Sequence, residues 1–139
     1  MTPTAFHQAR HAAARPQSRP QSRRPRIGLD GTWEFRFDGA AAAAESWRPI
    51  QVPGIWQAQF ADLRYATGTA EYRHRFAVPA EWAEAAVTLG FDGVFEIAEV
   101  ELNGRPVGRN EGGFLPFAFE LAAGALQAGD NEIRVRVTL

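Results

Sequence analysis

From Leu29 onward, bulky apolar residues recur at every second position, the period of a strand with one buried and one wet face. Over Thr32–Phe37, Trp33, Phe35 and Phe37 fall on one face and Glu34 and Arg36 on the other. Over Thr69–Val78, Ala70, Tyr72, His74, Phe76 and Val78 alternate with Glu71, Arg73 and Arg75. Val87, Leu89 and Phe91 repeat the period, residues 94–102 predict a further strand, and Phe117, Phe119 and Leu121 predict another. Ile133, Val135, Val137 and Leu139 then oppose Arg134 and Arg136. Asn103-Gly104 suits a type I′ hairpin, because both central positions of that turn need positive φ, and Gly129-Asp130-Asn131 turns the chain into its last run. At least six strands follow. The helix candidates after residue 28, Ala40–Glu45, Pro79–Ala86 and Ala122–Gln127, are too short to serve as crossover layers. A parallel α/β sheet is therefore excluded, and the pattern predicts an all-β antiparallel sandwich or jelly roll.

Residues 1–26 follow no such period. An alanine-rich stretch, Ala5–Arg15, predicts at most a transient helix that Pro16 stops, and a tandem RPQS RPQS fills 15–22. Six arginines (Arg10, Arg15, Arg19, Arg23, Arg24 and Arg26) stand there with no acid. So little bulky apolar surface cannot offset the entropy of ordering, so a disordered arginine-rich arm over 1–26 is expected ahead of one domain at 27–139. The same composition resembles an organelle transit peptide, but a coding bias explains it as well, since all 15 basic residues are arginine.

A chain of 139 residues with 45% hydrophobic side chains builds one core, not two. With no cysteine there are no disulfides, thiolate metal sites or cysteine nucleophiles, and a cytoplasmic location is the default. No apolar run approaches the roughly 20 residues of a membrane span, so no membrane association is expected. Outside the arm, nine arginines face sixteen acids, a balance of −7 that disfavours nucleic acid as a partner. Of three histidines, His7 and His11 lie in the arm and His74 sits on the apolar parity of its strand, where a buried histidine satisfied by backbone is the simplest reading. No metal site, cofactor or catalytic residue is expected from these side chains. Glu99 and Glu101 read as one solvated strand face, and the glycines of 90–93 and 111–113 read as turns, because neither stretch opens a helix that could hold phosphate.

One connection stands out. Val52–Tyr65 carries Trp56, Phe60 and Tyr65 among Gln57, Gln59, Asp62 and Arg64. Aromatic faces beside amide, carboxylate and guanidinium groups suit a sugar ring, apolar on its C–H face and hydroxylated at its rim, so Trp56, Gln59, Asp62, Arg64 and Tyr65 are candidate carbohydrate-binding residues. The alternative is that these aromatics plug one end of the sandwich or face another domain.

Several of these stretches together resemble a family. Arg19-Pro-Gln, Leu29-Asp-Gly-Thr-Trp-Glu-Phe35, Trp47 and Val52-Pro-Gly54 resemble the opening of the N-terminal sugar-binding domain of glycoside hydrolase family 2, which includes β-galactosidases, β-glucuronidases and β-mannosidases. The likeness continues through Gly68–Phe76, Leu89–Val94, Val100–Gly108, Gly112–Phe117 and Gly129–Val137, and Gln59-Phe-Ala-Asp-Leu-Arg64 is most similar to the β-glucuronidase branch. The resemblance implies a galactose-binding-like jelly roll, a lineage that hydrolyses O-glycosyl bonds, and a carbohydrate (β-glycoside) as ligand. It also implies what the family has beyond this stretch: an acidic aromatic loop, a closing strand, an immunoglobulin-like domain and a catalytic barrel with two glutamates. A chain truncated before that barrel is expected to be inactive, to lack the last strand of its jelly roll, and to self-associate through an open edge beside Asn131–Leu139. Two functions remain open: a non-catalytic module that packs against a separately encoded barrel, which is preferred, and a free-standing weak carbohydrate-binding protein.

Overall fold

The computed structural model describes residues 4–11, 25–38, 47–94, 96–113 and 115–139, the first of these as a backbone strand. Among them are ten strands: β1 (Thr4–His11), β2 (Arg26–Gly28), β3 (Gly31–Asp38), β4 (Arg48–Val52), β5 (Thr69–Val78), β6 (Val87–Gly93), β7 (Ile97–Leu102), β8 (Arg105–Glu111), β9 (Phe117–Leu121) and β10 (Gly129–Thr138). Two four-residue helices, α1 (Trp56–Gln59) and α2 (Ala80–Ala83), and a 3-10 turn at Ala61–Leu63 complete the elements. One sheet runs β4-β3-β5-β10-β7-β8 and the other β2-β1-β6-β9, with every neighbour antiparallel. This is the all-β jelly-roll sandwich that the period-two runs predict.

The inward rows of both sheets meet in one core. Trp33, Phe35, Ile50, Tyr72, Ile133, Val135 and Val137 come from the larger sheet, and Val87, Leu89, Phe91 and Leu121 from the smaller. Burying each such aliphatic or aromatic side chain is worth about 1.5–3 kcal/mol. The Phe35 ring lies 5.1–5.8 Å from the rings of Phe60, Tyr72 and Trp56, and the Trp33 indole donates to the Leu29 carbonyl at 2.6 Å. His74 stacks on Trp33 with ring centroids 5.0 Å apart and planes at 14°.

Asn103 (φ 51°) and Gly104 (φ 80°) form the left-handed pair that the hairpin between β7 and β8 requires. Asn103 also reaches across to β10. Its amide nitrogen donates to Asn131 Oδ1 at 2.8 Å, and its own oxygen accepts from the Glu132 N–H at 2.9 Å. Asn131 is 2% exposed, and its side chain uses both acceptor sites and both donors: Oδ1 also accepts from the Gln127 N–H, while Nδ2 donates to the Gln127 and Gly129 carbonyls.

Three expectations need correcting. Thr4–His11, expected within a disordered or transiently helical arm, is a strand paired to β2 and β6, while residues 1–3 and 12–24 lie outside the described residues. Backbone pairing with the free edge of β6 needs no bulky apolar residues, which is why composition did not predict it. The second concerns the open edge beside Asn131–Leu139: β10 lies inside its sheet, between β5 and β7, and the edges of that sheet are β4 and β8. The third is that 94–102 is not one strand, since β6 ends at Gly93 and β7 starts at Ile97. Of the helix candidates, α2 falls within Pro79–Ala86, Ala122–Gln127 forms turns, and Ala40–Glu45 lies outside the described residues.

Two outcomes follow from these contacts. Asn131→Leu strips four partly buried hydrogen bonds, three of them to backbone groups of Gln127 and Gly129 and one to the Asn103 side chain, so unfolding in urea is expected to show a loss of about 2–4 kcal/mol with an unchanged slope. The second concerns His74, whose burial holds its pKa below the ordinary 6.5, partly offset by a hydrogen bond with the Thr32 backbone. The unfolded chain therefore takes up that proton near pH 6.5 and the folded chain only at lower pH, so stability is lost as pH falls through that window. Against His74→Phe, which keeps the stack and removes the proton, the parent is expected to lose ground between pH 7.5 and 5.5; a difference independent of pH would contradict this.

Candidate functional site

The connection from β4 to β5 leaves the sheet at a cis Val52–Pro53 peptide and is tied back to β4 at Gln51 and Arg48. Gln59, at the end of α1, accepts from the Gln51 N–H at 2.8 Å and donates to the Gln51 carbonyl at 3.0 Å, so its amide takes the place of a strand neighbour on the outer edge of β4. The Arg48 guanidinium holds both oxygens of Asp62, at 3.1 and 3.0 Å, and lies 3.9 Å from the centre of the Phe60 ring. That hydrogen bond keeps the Asp62 carboxyl below its ordinary pKa of 3.8. Trp56 and Gln57 both donate to the Ala66 carbonyl at 3.2 Å. Gly54 has no room for a side chain, because a Cβ would meet the Gln51 carbonyl oxygen at 2.7 Å and the Gln59 amide closer still.

This geometry separates the five residues that the sequence puts forward. Trp56 is 0% exposed and lies against Phe35 and Phe37, with centroids 5.8 and 5.6 Å away, so it is a core plug and not the surface platform expected of it. Gln59 and Asp62 are exposed but spend their polar groups on β4. Arg64 and Tyr65 project from the loop, with Tyr65 88% exposed and the Arg64 guanidinium 5.8 Å from its ring.

A second polar surface lies on the outer face of the six-stranded sheet, where sequence reading placed only solvated charge. Glu71, 9% exposed, accepts a hydrogen bond from Arg36 and lies 3.8 Å from Arg134. Arg73 holds Glu34 at 2.7 Å and Arg136 holds Asp38 at 3.1 Å. The Trp47 ring has the guanidiniums of Arg73, Arg36 and Arg134 at 3.9, 4.6 and 5.7 Å. Beside it Glu71, Glu99, Glu101, Arg134 and Arg136 line a groove of about 150 Å³. Alternation assigns these residues to the wet face, but only strand register shows which stand together. Among the described residues no group of three His, Cys, Asp or Glu side chains could hold a metal ion, and no helix is long and apolar enough to cross a membrane.

The tie at Gln59 gives a direct test. Gly54→Ala is expected to cost about 1–3 kcal/mol, and adding Gln59→Ala should not restore stability, because the Gln51 carbonyl still blocks the Cβ. Thermal unfolding of the two variants checks this. Full rescue by the second substitution would mean that the side-chain contact alone sets the requirement for glycine.

Residues 27–139 match the family described as glycosyl hydrolases family 2, sugar binding domain. A β-glucuronidase of Bacteroides fragilis is 30% identical over 118 residues, covering 83% of this chain and 17% of that protein. A β-galactosidase of Priestia megaterium is 30% identical over 116 residues, covering 67% of this chain and 11% of that protein. The crystal structure of Ruminococcus gnavus β-glucuronidase superposes with a TM-score of 0.74 at 25% identity, over 92% of this chain and 23% of that one. This chain thus spans less than a quarter of the length of each. Because the match runs from Ile27 to Leu139 and takes in every strand from β3 to β10, the chain belongs to glycosyl hydrolases family 2, as its sugar-binding domain.

Proposed function

We propose that this domain works without catalysing: it docks on the catalytic domain of a family 2 glycosidase and shapes the approach to its cleft with the loop between β4 and β5. The observation that carries this reading is Tyr65, an 88% exposed aromatic on a loop whose Trp56 is buried in the core and whose Gln57 and Gln59 amides are spent on backbone groups. A tyrosine beside an arginine on a loop already tied to the sheet is the composition of an interface anchor, because both residue types are enriched at hot spots and little backbone entropy remains to be lost on docking. The named relatives are a β-glucuronidase and a β-galactosidase, which supports a β-glycosidase as the host of such a module. The loop carries a single carboxyl, Asp62, which Arg48 holds ionised, so the loop offers no proton donor to pair with a nucleophile.

A second reading is direct carbohydrate binding by Arg64 and Tyr65. One exposed ring with one guanidinium leaves little surplus after association costs, so a monosaccharide is expected to bind more weakly than about 1 mM.

Both readings meet one experiment. Glucuronate and galactose are titrated into the chain and into Tyr65→Ala while amide NMR shifts are followed, and nitrophenyl β-glucuronide is offered as substrate. Shifts that do not saturate below about 1 mM, with no turnover, are expected. Micromolar binding lost in Tyr65→Ala would favour the free-standing carbohydrate-binding protein. Turnover that survives repurification would overturn the non-catalytic reading.

A further inference from the structure

Of the three asparagines in the chain, at 103, 110 and 131, only Asn103 is followed by glycine. The next backbone nitrogen then has no side chain beside it, so it reaches the asparagine carboxamide more easily than at Asn110-Glu111 or Asn131-Glu132. The turn between β7 and β8 needs this pair, because Asn103 (φ 51°) and Gly104 (φ 80°) are both left-handed. The hairpin thus carries a chemically reactive pair for a structural reason. Gly104 is exposed, and a Cβ there would meet nothing within 4 Å, so water reaches the peptide that joins the two residues.

What the carboxamide touches decides when it reacts. Asn103 Nδ2 donates to Asn131 Oδ1 at 2.8 Å and to the Ala125 carbonyl at 3.4 Å, while its Oδ1 accepts from the Glu132 N–H at 2.9 Å. Attack by the Gly104 nitrogen requires the carboxamide to turn back toward its own main chain, which gives up all three of these bonds. The seated hairpin therefore holds the reaction back, and an opened hairpin releases it. An acid in place of the amide would set an anionic oxygen against two acceptors, Asn131 Oδ1 and the Ala125 carbonyl, and would take this donor from both.

We propose that Asn103 is a covalent modification site, at which the chain deamidates when the β7–β8 hairpin lets go of β10, and that the product cannot restore the ties to Asn131 and Ala125. The Gly104 nitrogen bonds to Asn103 Cγ, the Cγ–Nδ2 bond breaks, and Nδ2 leaves as ammonia with the Gly104 amide proton. Water then opens the five-membered imide and returns a proton to the nitrogen. Opening at Cγ gives aspartate, and opening at the main-chain carbonyl gives isoaspartate, whose extra backbone atom no longer fits a two-residue turn. Nothing is oxidised or reduced.

The test follows the tryptic peptide Phe76–Arg109, which stays whole at Arg105 because proline follows, and in which Asn103 is the one asparagine. The full-length chain is incubated in mildly alkaline buffer, folded in one arm and unfolded in guanidinium chloride in the other, and the exchange of amide for acid is read by mass. The folded chain is expected to react about a hundredfold more slowly, with the three side-chain hydrogen bonds as the barrier. Asn131→Ala, which removes one partner, should speed the folded reaction about tenfold. Should that variant not fold, guanidinium added to the parent below its unfolding transition should raise the rate progressively. The second half of the proposal is read from Asn103→Asp, whose side chain tolerates positive φ: its folding constant is expected to fall about 5- to 30-fold. Equal rates in the folded and unfolded chain, or no reaction in either, overturn the site. An Asn103→Asp chain as stable as the parent overturns its consequence.

Discussion

Strand β10 has β5 along its whole length on one side and β7 on the other, so the one freedom left to it is register. A slip of one residue would carry Ile133, Val135 and Val137, each 0% exposed, into water and drive Arg134 and Arg136 into the core. Each aliphatic side chain lost from the core costs about 1.5–3 kcal/mol, and burying an unpaired guanidinium costs more. Hydrogen bonds pin the register at both ends. Asn103 takes the Glu132 N–H near the start of the strand, while near its end the Thr138 carbonyl accepts from Glu96 and the Leu139 N–H reaches Gly68.

That register dictates the charged face. It sets Arg134 opposite Arg73 on one side and Glu101 on the other, and Arg136 opposite Glu71 and Glu99. Like charges directly across a strand pair repel, so Arg73 and Arg134 need relief. Arg73 finds it in Glu34, and Arg134 in Glu132 at 3.4 Å and Glu71 at 3.8 Å. The Trp47 ring completes the arrangement, its π face among three guanidiniums, each worth about 0.5–1 kcal/mol at an exposed site. Trp47 therefore holds the start of β4 against the sheet through charges that would otherwise push apart.

Much of the sandwich was legible in the sequence where alternation was clean. Trp33, Phe35 and Phe37 face inward on β3, and Ile133, Val135 and Val137 on β10, as the period demands. Strands β4 and β8 were not legible because edges carry mixed patterns: Arg48-Pro-Ile-Gln-Val and Arg105–Glu111 hold polar or small residues at positions that a central strand would fill with apolar ones. Strand β1 was hidden for another reason, since its pairing rests on backbone groups that every sequence has. The loop was located correctly as the unusual connection, but composition could not say which aromatic points inward. Trp56 and Tyr65 look alike in sequence, and only the closure of the sandwich end, with Phe35 and Phe37 waiting below, draws one inside and leaves the other in water.

The two sheets close an edge in different ways, one with a side chain and the other with a strand. On β4 the closing group is a side chain, Gln59, whose α1 segment also inserts Trp56 into the core. Opening that edge means extracting an indole, so the closure shares the stability of the whole sandwich. On β6 the closing group is a strand that lies outside the family match and is joined to the rest through residues 12–25. That strand is seated by a backbone ladder, which asks little of its side chains. The end of the larger sheet beside β4 thus keeps its loop, and with it Arg64 and Tyr65, in a fixed place.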